Sequence, residues 1–323
     1  MTSNLLSIGK SGLLAAQVGL STTGHNITNV NVAGYNRQTV EQQTSNANFA
    51  GYGYVGTGTE VSQIKRQYDS FMSTQVNAAQ STTSSLNAYY TQISQIDNLL
   101  ADSTAGLSPS LQDFFKGVQD FCSNPSLVSS RQALLSSASS LTARFQSLSG
   151  RLSEIGAGVD SQITSNVAVI NTYAKQIAEL NVSISQLTVD PQTQPNDLLD
   201  QRDQLVNELN KYVKTTAQPG SNNTITLSIG SGQPLVVANR SFELAATPSL
   251  TDPNRVEVGY VTGKNVTILP ENALTGGSLG GLLEFRSGTL DRVQNSLGKV
   301  AAALATTFNE QHKLGQDLNG DMG

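Results

Sequence analysis

Ser278 is the residue whose neighbours most resemble a catalytic motif. It sits in Gly276-Gly277-Ser278-Leu279-Gly280, a match to G-x-S-x-G, with Asp291 and His312 following in the order that α/β hydrolases use. The chemistry would be acyl transfer, with the hydroxyl as nucleophile, a histidine as its base and a carboxylate orienting the histidine. That motif needs its serine on the strained turn between a buried parallel strand and a helix. Here the polar run LPENALTGG precedes it, and strand and helix patterns do not alternate along the chain. Asp291 and His312 also fall on one predicted helix, about 30 Å apart at 1.5 Å per residue, so a single serine cannot use both. A serine esterase on Ser278 stands only as the catalytic alternative, and no catalytic residue is assigned.

The other motifs resolve into turns. Gly51-Tyr52-Gly53-Tyr54-Val55-Gly56 satisfies G-x-G-x-x-G but lacks the strand before it and the helix opening within it that a dinucleotide needs. Gly9-Lys10-Ser11 imitates the end of a phosphate loop, yet Asn4 stands where the first glycine is required. Asp317-Leu318-Asn319-Gly320-Asp321 offers oxygens like the start of a calcium loop, but its glycine comes too early and no Glu follows. With two His and one Cys, neither a multi-histidine centre nor a CxxC pair can form. His25 is expected at a helix surface or interface, and Cys122 as a small buried hydrophobe. No cofactor or metal is expected.

Composition narrows the classes further. The 323 residues carry 19 basic and 24 acidic side chains, a net charge of -5, and only 13% charged residues, against about 25% in an average domain. No basic cluster suits nucleic acid. No apolar run approaches the roughly 18 residues of a membrane span. The first twenty residues are interrupted by Gly9, Lys10, Gly12 and Gln17, so they fit neither a cleaved signal nor an anchor.

Hydrophobic spacing then supplies the elements. Leu6, Leu13, Leu20 and Ile27 recur every seven residues, and Gly9, Ala16, Thr23 and Val30 follow each by three, which is the seam of a helix that packs along another helix. Its glycines lower intrinsic helicity, so the helix needs a partner to stay formed. Residues 39–67 read as an extended connector with short strands. From Asp69, a predicted N-cap, Met72, Val76, Leu86, Tyr90 and Ile96 lie on the packing face of a long helix. A short helix follows around Phe114 and ends at Asn124-Pro125. The strongest pattern is Leu127, Leu134, Leu141, Leu148 and Ile155, continued after a phase slip near Val159 by Ile163, Val167, Ile170, Ala174, Ile177, Asn181 and Ile184. Asn196 is predicted to cap the next helix. From Thr215 the period becomes two, giving about five short strands, and helical spacing returns through Leu282, Phe285, Leu290, Val293 and Leu297.

The stretch from Ser21 to Gln38, STTGHNITNVNVAGYNRQ, resembles the N-terminal signature of bacterial flagellar axial proteins. Asn26, Asn29, Asn31, Gly34, Tyr35, Arg37 and Gln38 match it, whereas His25, Thr28 and Val32-Ala33 depart from it. PNDLLDQRD at 195–203, FNEQH at 308–312 with GQDLNG at 315–320, and IKRQYD at 64–69 narrow the resemblance to the hook-associated FlgK family, over the whole chain.

That resemblance implies a non-enzymatic structural subunit of the extracellular flagellum, joining hook to filament. Its expected partners are further copies of itself, the hook protein and a second hook-associated junction protein, with neither nucleic acid nor membrane. It would be exported by the flagellar type III apparatus without a cleaved signal, and its N-terminal helix would pair with a C-terminal helix of the same chain. Flagellin-like or hook-type axial proteins are the nearest alternatives. The sequence stops where the family's helical domain would pass into an outer β domain, so that domain, the C-terminal helix and the export-chaperone site on it are expected to be absent. The expected fold is mainly α with a β insertion (α+β), an elongated long-helix bundle: an assembly helix at 1–38, the connector at 39–67, and a helical domain at 68–323 with strands at about 214–272. Leu6, Leu13, Leu20, Ile27, Asn26, Asn29, Gly34, Tyr35 and Arg37 are the expected subunit-assembly residues.

Overall fold

The computed structural model describes residues 2–100, 106–188 and 193–316. Helix α1 (Thr2–Asn29) leads into a hairpin of β1 (Gln38–Thr44) and β4 (Thr59–Arg66), whose tip carries the two-residue strands β2 (Asn48–Phe49) and β3 (Tyr54–Val55). Three helices follow: α2 (Ser70–Leu100), α3 (Leu107–Ser123) and α4 (Val128–Leu187). After α5 (Asn196–Tyr212) come β5 (Thr215–Pro219), β6 (Ile225–Ile229), β7 (Gln233–Val237), β8 (Arg240–Ser241), β9 (Leu244–Pro248), β10 (Val256–Thr262) and β11 (Asn265–Ile268). Helix α6 (Gly277–Phe285), a π turn at Arg286–Leu290 and α7 (Asp291–His312) complete the described chain. The fold is therefore α+β, with long helices and small sheets.

Two compact units divide the chain. One holds residues 1–83, 168–245 and 260–267, and the other residues 84–167, 246–259 and 268–323. In the first, β5-β6-β7-β8 form a four-stranded sheet in sequential order. Leu227, Ile229, Leu235 and Val236 from it are buried, as are Ile170, Ala174, Ile177 and Ile184 of α4 and Leu209 of α5. In the second, Leu148, Leu152, Val159 and Ile163 of α4 are buried, together with Leu279, Leu282, Phe285 and Leu290. From Leu141 onward the pattern read from α4 thus follows its buried face, Ile155 alone among its apolar positions being half-buried, and the helix runs unbroken through Gly156 and Gly158. The five-residue step from Phe285 to Leu290 is the sequence trace of the π turn, which adds one residue to the helical repeat.

Asp69 caps α2 as its type predicts, its Oδ1 accepting from the Phe71 and Met72 amides at 2.9 and 3.1 Å. Three expectations fail. Pro195 occupies the N-cap of α5, and Asn196 is drawn to β4, where its Nδ2 donates to the Ile64 carbonyl at 2.8 Å. Cys122 is exposed, because α3 buries Phe114 and Gly117 and Cys122 lies about 80° from Phe114 around the helix at 100° per residue. Finally, Met72, Val76, Leu86 and Tyr90 of α2 point to solvent, while Ser81, Ser85, Gln92 and Ile96 are buried. Close backbone approach explains the serine: a Cβ on Gly281 of α6 would stand 2.2 Å from the Ser85 carbonyl oxygen. Only small side chains fit such a crossing.

The second unit also encloses a charged network that no spacing rule signalled. Arg286, in the π turn, pairs with Asp160 of α4, donates to the Val256 carbonyl at 2.6 Å and reaches Glu271 at 2.7 Å. Arg255 ties Glu271, at 3.0 Å, to Asp291, at 2.8 Å. Burial alone would raise the Glu271 pKa, but hydrogen bonds and charge from Arg255 and Arg286 outweigh it and hold the carboxyl below its ordinary 4.5.

Removing Arg286 strands the Asp160 carboxylate and leaves Glu271 to Arg255 alone, so Arg286→Ala should cost about 3–5 kcal/mol in urea unfolding at neutral pH. Because the folded pKa of Glu271 is depressed, its contribution is present above the ordinary value and lost as pH falls through the folded one. Stability measured from neutral pH downward should therefore decline less steeply in Glu271→Gln than in the parent.

Candidate assembly surface

Helix α1 packs on its own hairpin with its small face. Ala15 and Thr22 are buried at 3% and 7% exposure, and the Thr59 amide donates to Ser11 Oγ at 3.2 Å. Leu6, Leu13, Leu20 and Ile27 are 78%, 71%, 76% and 67% exposed. At 100° per residue the leucine stripe lies about 170° around the helix from the Ser11, Ala15 and Thr22 face. A helix that folds only onto its own chain shows the reverse order, apolar inside and polar outside. A Cβ on Gly9, Gly12, Gly19 or Gly24 would meet nothing within 4 Å, so no packing among the described residues requires them to be glycine.

A polar latch holds the end of α1 to the hairpin and α5. Asn26 treats Gln38 as a strand would: its Oδ1 accepts from the Gln38 amide at 2.8 Å and its Nδ2 donates to the Gln38 carbonyl at 2.8 Å. The Tyr35 hydroxyl donates to the same Oδ1 at 2.6 Å. Burial raises the Tyr35 pKa, and the carboxylates of Asp197 and Asp200 raise it further, so the phenol keeps the proton it donates. Asn29 Nδ2 donates to the His25 carbonyl at 3.0 Å. Asp200, 5% exposed, accepts from the Asn36 amide and Nδ2, each at 2.8 Å, and from Arg66 at 2.9 Å. Arg66 also reaches Asp203 at 2.7 Å and stacks over the Tyr68 ring at 4.2 Å. Gly34 has φ +82°, and a Cβ there would strike Gln204 Cβ at 2.7 Å.

The profile of the flagellar hook-associated protein FlgK helical domain matches residues 93–323. The chain belongs to the FlgK family. Flagellar hook-associated protein 1 of Escherichia coli K12 is 44% identical over 99% of this chain and 59% of its own length, and that of Salmonella typhimurium LT2 is 45% identical over 99% and 58%. The chain thus spans about three fifths of these relatives. The fold is similar to that of the flagellar hook junction protein FlgK from Burkholderia pseudomallei, with TM-score 0.73 and 37% identity over 77% of this chain and 45% of that one.

Within this FlgK-family chain the predicted assembly residues separate into two groups. Leu6, Leu13, Leu20 and Ile27 form the outward stripe, while Asn26, Asn29, Gly34 and Tyr35 build the latch. Arg37 contributes only its carbonyl, which accepts from the Gln67 amide at 2.8 Å, and its side chain is exposed. Asp197, Asp200 and Asp203 of α5 complete the latch, and the sequence signal for them is their three-residue spacing, which places acids along one helical face.

The catalytic alternative finds no assembled site. Asn166 Nδ2 donates to Ser278 Oγ at 3.0 Å, Asp291 is engaged by Arg255, and the His312 ring lies parallel to Phe308 at 6.2 Å. His25 and Asp197 stand 3.3 Å apart beside a groove of about 460 Å³, but no Ser, Thr or Cys lines it. Among the described residues no group of three metal-ligating side chains occurs, and no helix is long and apolar enough to cross a membrane. Residues 317–321 lie outside the described residues.

Two substitutions probe the latch. Asn26→Ala leaves the buried Gln38 amide without an acceptor and should cost about 1–3 kcal/mol. Gly34→Ala should cost about 1–2 kcal/mol from the left-handed backbone alone. Both should speed hydrogen exchange at the Gln38 amide relative to the β6–β7 amides.

Proposed function

We propose that this chain is a non-catalytic subunit of the bacterial flagellum, packed at the junction of hook and filament, and that α1 is its assembly element. The observation that carries the reading is the outward stripe of Leu6, Leu13, Leu20 and Ile27 on a helix whose small face is already used. Each such side chain gains about 1.5–3 kcal/mol when covered, and only an added helix offers cover along the whole row. The glycines between them would let that helix approach closely. The relatives' names, hook-associated protein 1 and hook junction protein, support the same site of action.

In this reading the partners are neighbouring copies, the hook protein and a second junction protein, and the covering helix includes the C-terminal helix of the same protein. The subunit works outside the cell after export by the type III apparatus without signal cleavage. Stripe burial couples folding of α1 to assembly, and the latch fixes where α1 stands when its partners arrive.

Leu13→Glu with Leu20→Glu tests this directly. Both side chains are exposed, so the thermal midpoint of the isolated protein should be unchanged, within the shift expected of about 0.5 kcal/mol. The same protein should fail to restore filament attachment in cells lacking the junction protein. Full restoration would refute the role of the stripe. Coupling further predicts that residues 1 to about 35 are cleaved first by protease in the isolated chain and are protected in flagella.

A further inference from the structure

The hairpin tip presents a second, chemically different surface. Phe49, Tyr52 and Tyr54 are 67%, 83% and 78% exposed. No charged residue occurs between Glu41 and Glu60. The tip is nevertheless built: the Ala50 amide donates to the Gly53 carbonyl at 2.8 Å, the Ser45 amide to the Gly58 carbonyl at 3.0 Å, and Thr57 Oγ1 to the Asn46 carbonyl at 2.7 Å. Gly51 and Gly53, at φ +87° and +147°, permit the turn. Phe49 and Tyr54 meet edge to face at 5.5 Å. Rigid aromatic side chains on an ordered turn lose little entropy on docking, which is the profile of an interface anchor.

We propose that this tip docks on the Phe71, Met72 and Val76 face of α2 in a second copy of the chain. That face is 68%, 55% and 53% exposed, and no charged residue occurs from Ser70 to Ile96. Neutral meets neutral, so no ion is desolvated, and the Met72 thioether suits aromatic rings. The two surfaces cannot meet within one copy. β1 and β4 pair from Thr44–Thr59, beside the tip, to Gln38–Arg66, beside the start of α2, with one register shift between Glu41 and Gln42, and eight residues of strand hold them about 26 Å apart. Two different patches on one chain, out of reach of each other, make a head-to-tail contact in which every copy both gives and receives. The inference rests on the reading above only for its premise that copies assemble; it does not use the α1 stripe.

The test uses flagella from cells whose junction protein carries Tyr52→Cys and Val76→Cys in a Cys122→Ser background. Mild oxidation should give a ladder of cross-linked dimers and longer oligomers. Either single cysteine should stay monomeric, because a head-to-tail contact offers it no facing thiol. For the two-cysteine protein, monomer alone or an intrachain cross-link overturns the proposal, and so does a ladder that persists when Leu250→Cys replaces Val76→Cys. In purified protein, Tyr52→Ser with Tyr54→Ser should weaken self-association at least tenfold by sedimentation; unchanged association also overturns it. Adding Leu13→Glu and Leu20→Glu to the purified two-cysteine protein separates the hypotheses. A surviving ladder sustains the tip contact whatever becomes of the α1 stripe, and its loss ties the contact to α1 and overturns the tip proposal.

Discussion

An α-helix has spent its backbone hydrogen bonds internally, whereas the end of a strand still has a donor and an acceptor to satisfy. In this protein asparagine joins the two. Asn26 bonds both backbone groups of Gln38, Asn171 both of Leu244 at 2.9 and 2.8 Å, and Asn181 both of Ile225 at 3.2 and 2.9 Å. A carboxamide has the donor and acceptor of a peptide on a short stem, so a helix carrying it acts as one more strand at that point. Asn181 has no exposure at all. These amides dock small sheets on long helices through neutral groups, in keeping with a chain only 13% of whose residues are charged.

Docking by small and polar faces has a corollary. Where a helix meets its own chain through Ser, Ala and Thr, its larger apolar side chains are left on the opposite side. This is the arrangement in α1, and the outward-facing Met72, Val76, Leu86 and Tyr90 of α2 follow the same logic. The exposed apolar side chains are therefore carried on ordered secondary structure, and among the described residues no cleft arrays Ser278 with Asp291 and His312.

Much of this was legible in the residues. The apolar period of α4, the Asp69 cap, the switch to period two after Thr215 and the extended stretch after the first helix each have local causes, which spacing rules capture. What spacing cannot give is the direction in which an apolar face points. The pattern of α2 is sound as a helix, but most of its leucine-like row faces out, because Gly281 and Ser85 set a crossing too close for larger side chains. Likewise Asn181 occupied an apolar position of the heptad, and Arg286 an unremarked place before Leu290. Their roles depend on carbonyls and carboxylates brought together over long chain separations. The latch is half legible: its N-terminal members stand in the family signature, whereas the receiving acids of α5 carry no local signal beyond their spacing.

The π turn at Arg286–Leu290 acts as a phase setter. One residue more than an α-helical repeat rotates everything downstream by about 100°, so the side of α7 that faces its neighbours is decided by a local insertion and not by its own composition. A single residue gained or lost here would redirect the whole of α7 without touching its sequence, and the buried Arg286 and Leu290 of the turn hold that phase in place.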